Sequence, residues 1–228
     1  MLLLAFDTAG PNCAVAVARS GRTGPQILAR AEEHIGRGHA ELLPTMVDAA
    51  LASAKVGYAD LGRIAVTTGP GSFTGVRVGI AFARGLALAL GVPAIGVGSL
   101  DALAFPLERS GEGTIAAVLD AKRGEVYGLV RDIASGATRL EAVALPIEDL
   151  ALRLSRARRP IMLTGAGARL LAEALGEPQA AIAGEATAPD IADVVALALD
   201  AGECGPPLPL YARAADAKPQ LDKAVARL

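Results

Sequence analysis

Val66-Thr67-Thr68-Gly69-Pro70-Gly71-Ser72-Phe73-Thr74-Gly75-Val76-Arg77-Val78-Gly79, running on to Ser99-Leu100-Asp101-Ala102-Leu103, is the stretch that decides the fold. Arg63 to Thr68 is short, apolar and β-branched, which predicts a buried strand, and Gly69-Pro70-Gly71 ends it with turn chemistry. Ser72 or Thr74 can cap the helix that follows, expected from Phe73 to Leu90 and stopped by Gly91 with Pro93 beyond. A second strand, Pro93 to Val97, comes next. A glycine loop between a strand and a helix N-terminus can receive an anion, because Gly71 permits close backbone approach and the first helical N–H groups are unpaired. A tight turn with no ligand explains the same residues equally well. It is not a P-loop, since no Lys-Ser or Lys-Thr follows. Gly75, Gly79 and Ala83 fall four apart and make a strip that lets another backbone pack closely, either a partner helix or the chain's own sheet.

Outward from this stretch, the 228 residues and 52% apolar content suit one large domain or two smaller lobes with a substantial core. The formal charge of −2 argues against a free-standing nucleic-acid binder, but leaves room for a local patch that meets RNA inside a complex. Cys13 and Cys204 form no metal-like pair, and so few cysteines fit a reducing cytosol. Met1 to Phe6 reaches Asp7 too soon for a signal peptide, and Arg84 and Gly85 interrupt the best membrane-span candidate. A cytoplasmic protein without membrane contact is expected. His34 and His39 lack the spacing that puts two ligands on one helix face, and no third histidine exists. No metal and no cofactor are expected.

Taken in order, Leu2 to Phe6, Cys13 to Ala18 and Gln26 to Glu33 read as strands, with Ala9 to Asn12 as a turn. Asp7 and Thr8 end the first strand at the same strand-end crevice as the glycine loop. Asp7 is there either to hold a metal or water, or simply to cap its turn. Gly38 to Ala54 is an amphipathic helix through Leu42, Leu43, Met46, Val47, Ala50 and Leu51. Beyond the crossover at 99–113 the logic repeats: strands at Thr114 to Asp120, Glu125 to Arg131 and Arg139 to Ala144, then a helix, a strand at Ile161 to Thr164, another helix, a short strand at Ala180 to Ala183 and a helix from Pro189 to Ala201. Two halves with strands preceding helices predict an α/β protein of two mixed sheets flanked by helices and facing a cleft. That is the layout of the two-subdomain actin-like ATPase/sugar-kinase fold. The expected division is 1–100, 101–205 and a tail, 206–228, packing back on the first subdomain.

Leu3-Leu4-Ala5-Phe6-Asp7-Thr8, His39-Ala40-Glu41-Leu42-Leu43-Pro44 and the Gly69 to Gly79 run resemble, in order, the signatures of the bacterial TsaB (YeaZ) family. Asp120 to Tyr127 and Tyr211-Ala212-Arg213 look like its later ones, with Ala212 departing from the usual leucine. The resemblance implies a part in making threonylcarbamoyladenosine at position 37 of tRNAs that read ANN codons. It further implies a non-catalytic subunit that pairs with a TsaD homologue, is joined by the ATPase TsaE and meets tRNA only through the complex; a homodimer is expected of the chain when alone, because its apolar helix pair would otherwise be exposed. In TsaD a His-x-x-x-His pair holds the metal; Ser99 and Leu103 stand at those positions here, and neither is a good ligand. In the family, two helices from each protein pair as a four-helix bundle. The interface expected on that basis is Leu42, Leu43, Met46, Val47, Ala50, Gly75, Val76, Gly79, Phe82, Ala83 and Leu86. A weak nucleotide or anion loop would comprise Asp7, Thr8, Gly69, Gly71 and Ser72. The competing class is a stand-alone enzyme of the same fold, a peptidase or small-molecule kinase, for which the chain offers no ligand cluster or nucleophile set.

Overall fold

Strict alternation in the first strand sets the layering. In a computed structural model describing residues 1–22, 24–108, 112–176, 180–202 and 205–213, strand β1 (Leu2–Asp7) sends Leu4 and Phe6 to one face and Leu3 and Ala5 to the other. Both sets are fully buried, so the sheet is covered on both sides. β1 pairs antiparallel with β2 (Asn12–Gly21), which pairs antiparallel with β3 (Gly24–His34). On its other edge β1 runs parallel to β4 (Leu61–Thr67), which runs parallel to β5 (Ala94–Val97), giving the order β3-β2-β1-β4-β5.

Helices α1 (His39–Ala54) and α2 (Phe73–Leu90) cover the Leu4/Phe6 face. The Ser72 hydroxyl caps α2 by accepting from the Gly75 N–H at 3.2 Å, and Gly91 closes it at φ 68° with its N–H on the Ala87 carbonyl. By length and composition α2 could cross a membrane, yet Gly75, Val76, Gly79, Ile80, Ala83 and Ala87 are buried on the first lobe's sheet.

After α3 (Ser99–Ala104) the second sheet repeats the first. Strand β6 (Thr114–Lys122) pairs antiparallel with β7 (Glu125–Asp132), which pairs antiparallel with β8 (Thr138–Pro146). On the other side β6 runs parallel to β9 (Ile161–Thr164), and β9 to β10 (Ala180–Ile182). The order β8-β7-β6-β9-β10 reproduces β3-β2-β1-β4-β5 strand for strand. One face carries α4 (Ile147–Leu154) and α5 (Ala168–Leu175); the other receives Leu100, Leu103 and Ala104 from α3. Since Ala102 of α3 joins the first sheet's core, α3 is a wedge shared by both lobes.

Two differences from the expected division emerge. Helix α6 (Ile191–Asp200) lies within 101–205 but packs Ile191, Val194, Val195 and Ala198 on the first sheet. That sheet face is built of Ala5, Ala14, Ala16, Ala18 and Ala65, whose small side chains let a helix approach closely. The described tail serves both lobes: the Leu210 N–H donates to the Thr68 carbonyl at 2.9 Å and the Ala144 N–H to the Ala212 carbonyl at 2.8 Å. The rest of the tail expected to pack back, 214–228, and Cys204 lie outside the described residues.

Candidate functional site: the interlobe cleft and the outward face of the first helix pair

A cavity of about 620 Å³ separates the lobes at the carboxyl ends of β1, β4 and β6. Its walls include Gly10, Gly71 and Ser72 from the first lobe, Ser99 from the wedge, and Asp120 and Lys122 from the β6–β7 hairpin. The expected anion loop divides here. Gly71 and Ser72 line the cleft, whereas Asp7, Thr8 and Gly69 are buried beneath it and do not.

The reason is internal packing. The Ser72 N–H donates to the Ala9 carbonyl at 2.7 Å, and a Cβ on Gly71 or Gly75 would overlap the Ala9 or Thr8 carbonyl oxygen respectively. Thr8 locks the contact by donating its hydroxyl to the Gly75 carbonyl at 2.8 Å. The glycines thus seat the start of α2 on the end of β1, and that accounts for them without a ligand. Gly69, at φ 96°, offers its carbonyl to the Ser99 N–H at 2.8 Å and so joins the loop to α3.

Asp7 settles as a turn cap. Its Oδ1 accepts from the Ala9 N–H at 2.8 Å and from the Thr67 hydroxyl, while Oδ2 is buried without a hydrogen-bond partner. Burial pushes its carboxyl above the usual carboxylate range, against the opposing pull of those two hydrogen bonds. Among the described residues no three His, Cys, Asp or Glu side chains converge as a metal set. Leu103 is buried in the second lobe's core, and Ser99 presents a buried hydroxyl without a hydrogen-bond partner at the cleft wall.

Sequence reasoning missed the shape of the hairpin. Lys122 and Arg123 both adopt left-handed backbone, at φ 65° and 59°, ahead of Gly124 at φ 80°. Gly124 marks the turn in the sequence, whereas the left-handed backbone of the two charged residues ahead of it carries no such signal. The Lys122 ammonium sits 2.6 Å from Asp120 Oδ2, an exposed ion pair on this wall of the cleft.

The partner face also requires correction. Gly75, Gly79 and Ala83 point into the molecule: a Cβ on Gly79 would overlap Thr8 Oγ1 and come within 3.1 Å of Val66 Cγ2. Leu43, Met46, Val47, Ala50 and Val76 are buried in the same core; Leu42, Phe82 and Leu86 are half-buried against it, with the Phe82 ring edge-on to Phe6 at 5.5 Å. Of these eleven, only Leu42, Phe82 and Leu86 keep appreciable exposed surface. The exposed face of the pair instead carries Thr45, Ala49 and Ala52 on α1 and Ala81, Gly85 and Leu88 on α2. Leu88 is 85% exposed, and a Cβ on Gly85 would meet nothing within 4 Å. At the start of α2 the Arg77 guanidinium lies 3.7 Å from the Phe73 ring centroid and donates through Nε to the Tyr211 hydroxyl at 2.9 Å.

Residues 29–187 match the family model described as TsaD, tRNA N6-adenosine threonylcarbamoyltransferase. The chain is 40% identical over 128 residues to the tRNA threonylcarbamoyladenosine biosynthesis protein TsaB of Escherichia coli K12, covering 56% of this chain and 53% of that protein. It therefore spans about half the length of the curated relatives it matches. Among solved structures, a Pseudomonas aeruginosa protein described as uncharacterized with similarity to peptidase YEAZ superposes at TM-score 0.75 and 33% identity, over 93% of this chain and 99% of that one. A Bacteroides thetaiotaomicron protein with actin-like ATPase fold and unknown function, at TM-score 0.51 and 12% identity over 87% and 95% of the two chains, shares the fold alone. With matching sheet orders in two lobes, and with this degree of likeness along nearly all of a YeaZ-like chain, the protein belongs to the TsaB (YeaZ) family and has the actin-like ATPase fold.

Proposed function

We propose that this chain is a non-catalytic subunit in threonylcarbamoyladenosine synthesis on tRNA, acting in the cytoplasm by pairing with a TsaD homologue. The observation that carries the reading is the outward face of α1 and α2, where Ala81, Gly85 and Leu88 stand exposed on α2 and Ala49 and Ala52 on α1. A glycine in an exposed helix interior lowers helix stability by about 1 kcal/mol relative to alanine. Among the described residues nothing packs on Gly85 to offset that cost, and a partner helix would supply the missing contact. Chemistry at the cleft has little to work with: Leu103 is core, Asp7 caps a turn and Lys122 is paired with Asp120. In this reading the same face self-pairs when the homologue is absent, TsaE joins the heterodimer, and tRNA is engaged by the assembly.

Gly85→Leu adds bulk outside the chain's own core, so it is expected to leave the melting temperature within a few degrees of wild type while abolishing co-purification with a TsaD homologue, scored by size. Undiminished capture of the homologue by the variant would sink this interface. Threonylcarbamoyl transfer by the chain alone would sink the non-catalytic role.

A further inference from the structure

Leu152-Arg153-Leu154-Ser155-Arg156-Ala157-Arg158-Arg159-Pro160 holds four arginines and no acidic residue, in a chain whose formal charge is −2. The fold turns that run into a surface. Arg153 and Arg156, with Arg139 from the edge strand β8, line a hollow of about 520 Å³ floored by Val130, Leu140 and Leu154. Arg139, Arg153, Arg156 and Arg158 are all exposed. The hollow lies at the start of β6, since Thr114 lines it, whereas the cleft lies at the far end, lined by Leu119 to Lys122. Six residues of strand between Thr114 and Asp120 put the two about 20 Å apart.

The charge of Arg153 and Arg156 is not consumed among the described residues. The carboxylate of the hollow, Asp132, accepts at Oδ1 from both the N–H and the hydroxyl of Ser135 and lies 3.7 Å from Arg139 through Oδ2. Among the described residues neither Arg153 nor Arg156 makes an ion pair. Position at the carboxyl end of α4 explains one cation there through the helix dipole, but not four. The arginine loop is also held in place: the Thr114 hydroxyl donates to the Arg158 carbonyl at 2.7 Å, the Thr114 N–H to the Pro160 carbonyl at 2.9 Å, and the Ala157 N–H to the Leu154 carbonyl at 2.9 Å. A loop whose backbone is held this way presents its guanidiniums to phosphate oxygens without first having to be ordered.

We infer that this arginine-lined hollow on the second lobe is a contact for the phosphate backbone of RNA. The choice of RNA among polyanions rests on the proposed role in tRNA modification. The position leaves the α1–α2 face free, so one chain could hold its protein partner and RNA at once.

The test measures binding of an unmodified tRNA transcript to the full chain by fluorescence anisotropy across a salt series. The reference is Arg153→Glu/Arg156→Glu, compared with Arg19→Glu/Lys55→Glu, which makes the same change of net charge on the first lobe. Loss of two phosphate contacts is expected to weaken binding at least tenfold and to lower the slope of log affinity against log salt by about 1.5. The first-lobe variant should stay within threefold of wild type. Equal losses in both variants, or no binding by wild type at low salt either alone or with the TsaD homologue, would overturn the proposal. So would a variant that still binds tRNA normally but loses binding to vesicles of phosphatidylcholine with one-third phosphatidylserine, which would assign the hollow to lipid. Thermal melts confirm that each variant is folded. Co-purification with the TsaD homologue is scored separately: if it fails for wild type while the arginine-dependent tRNA binding holds, the pairing reading falls and the RNA surface stands.

Discussion

At the scale of single residues, Asp7 shows how a carboxylate at a strand end can be committed to structure. Its Oδ1 serves two donors from Ala9 and Thr67, and burial opposes its ionisation. An acid whose folded-state pKa lies above its ordinary value near 3.8 leaves the native state holding more protons than the unfolded chain. Stability therefore falls as pH rises from that value through the folded one. Asp7→Asn retains the Oδ1 acceptor and removes the titration. Thermal melts over a pH series are expected to show a decline for wild type above pH 3.8 that the Asn variant lacks; parallel curves would refute the assignment. Asp7→Ala, by stranding two buried donors, should instead destabilise by about 1–3 kcal/mol at every pH. From the sequence, metal-holding and turn-capping readings of Asp7 stood level. Only the position of its neighbours could separate them, because Thr67 lies on a strand sixty positions away.

At the scale of elements, the bounds of most helices and strands were legible, and Phe73–Leu90 and Ile161–Thr164 fall to the residue where turn chemistry put them. The facing of α2 was not. That helix is apolar nearly all round, so its hydrophobic period does not say which side meets the sheet. The side is fixed by Thr8, whose carbonyl and hydroxyl need the space beside Gly75 and Gly79. Two glycines on one helix should then behave oppositely. Gly79→Ala drives a methyl against Thr8 Oγ1 and Val66 and is expected to destabilise by about 1–3 kcal/mol despite the better helix former. Gly85→Ala meets nothing and should stabilise by about 1 kcal/mol. Urea titrations of both variants decide it, and a stabilising Gly79→Ala would mean that the strip does not face the sheet. The lobe that α6 covers was illegible for a related reason: its own pattern shows an apolar face but not which of two equivalent sheets needs it.

At the scale of the whole molecule, two similar sheets must be held at one angle across a cleft, and few residues do it. Helix α3 is a wedge in both cores, and the segment 205–213 is a strap bonded to both lobes. Along the strap Pro207 packs at Gly96, Leu210 bonds to Thr68, Tyr211 meets Arg77, Ala212 accepts from the Ala144 N–H of β8, and Arg213 pairs with Glu125 and reaches the Lys122 carbonyl at 3.4 Å. Its first half therefore belongs to one lobe and its second to the other. Among the described residues Tyr211→Ala/Arg213→Ala removes one cation–π and hydroxyl contact and one half-exposed ion pair, each worth about 0.5–1 kcal/mol, so a loss of at least about 1–2 kcal/mol is expected. Such a loss is small against the folding free energy of a domain this size, so both lobes should stay folded. The effect should be local and lopsided. Amide exchange should rise at Ala144, whose hydrogen bond to the strap is loosened, and in the β6–β7 hairpin that Arg213 holds. Amides inside β1 and β4, whose partners are other strands, should keep their protection. A rise spread evenly through both sheets would mean that the strap stabilises one cooperative unit, and the clamp between lobes would have to be sought in α3 alone.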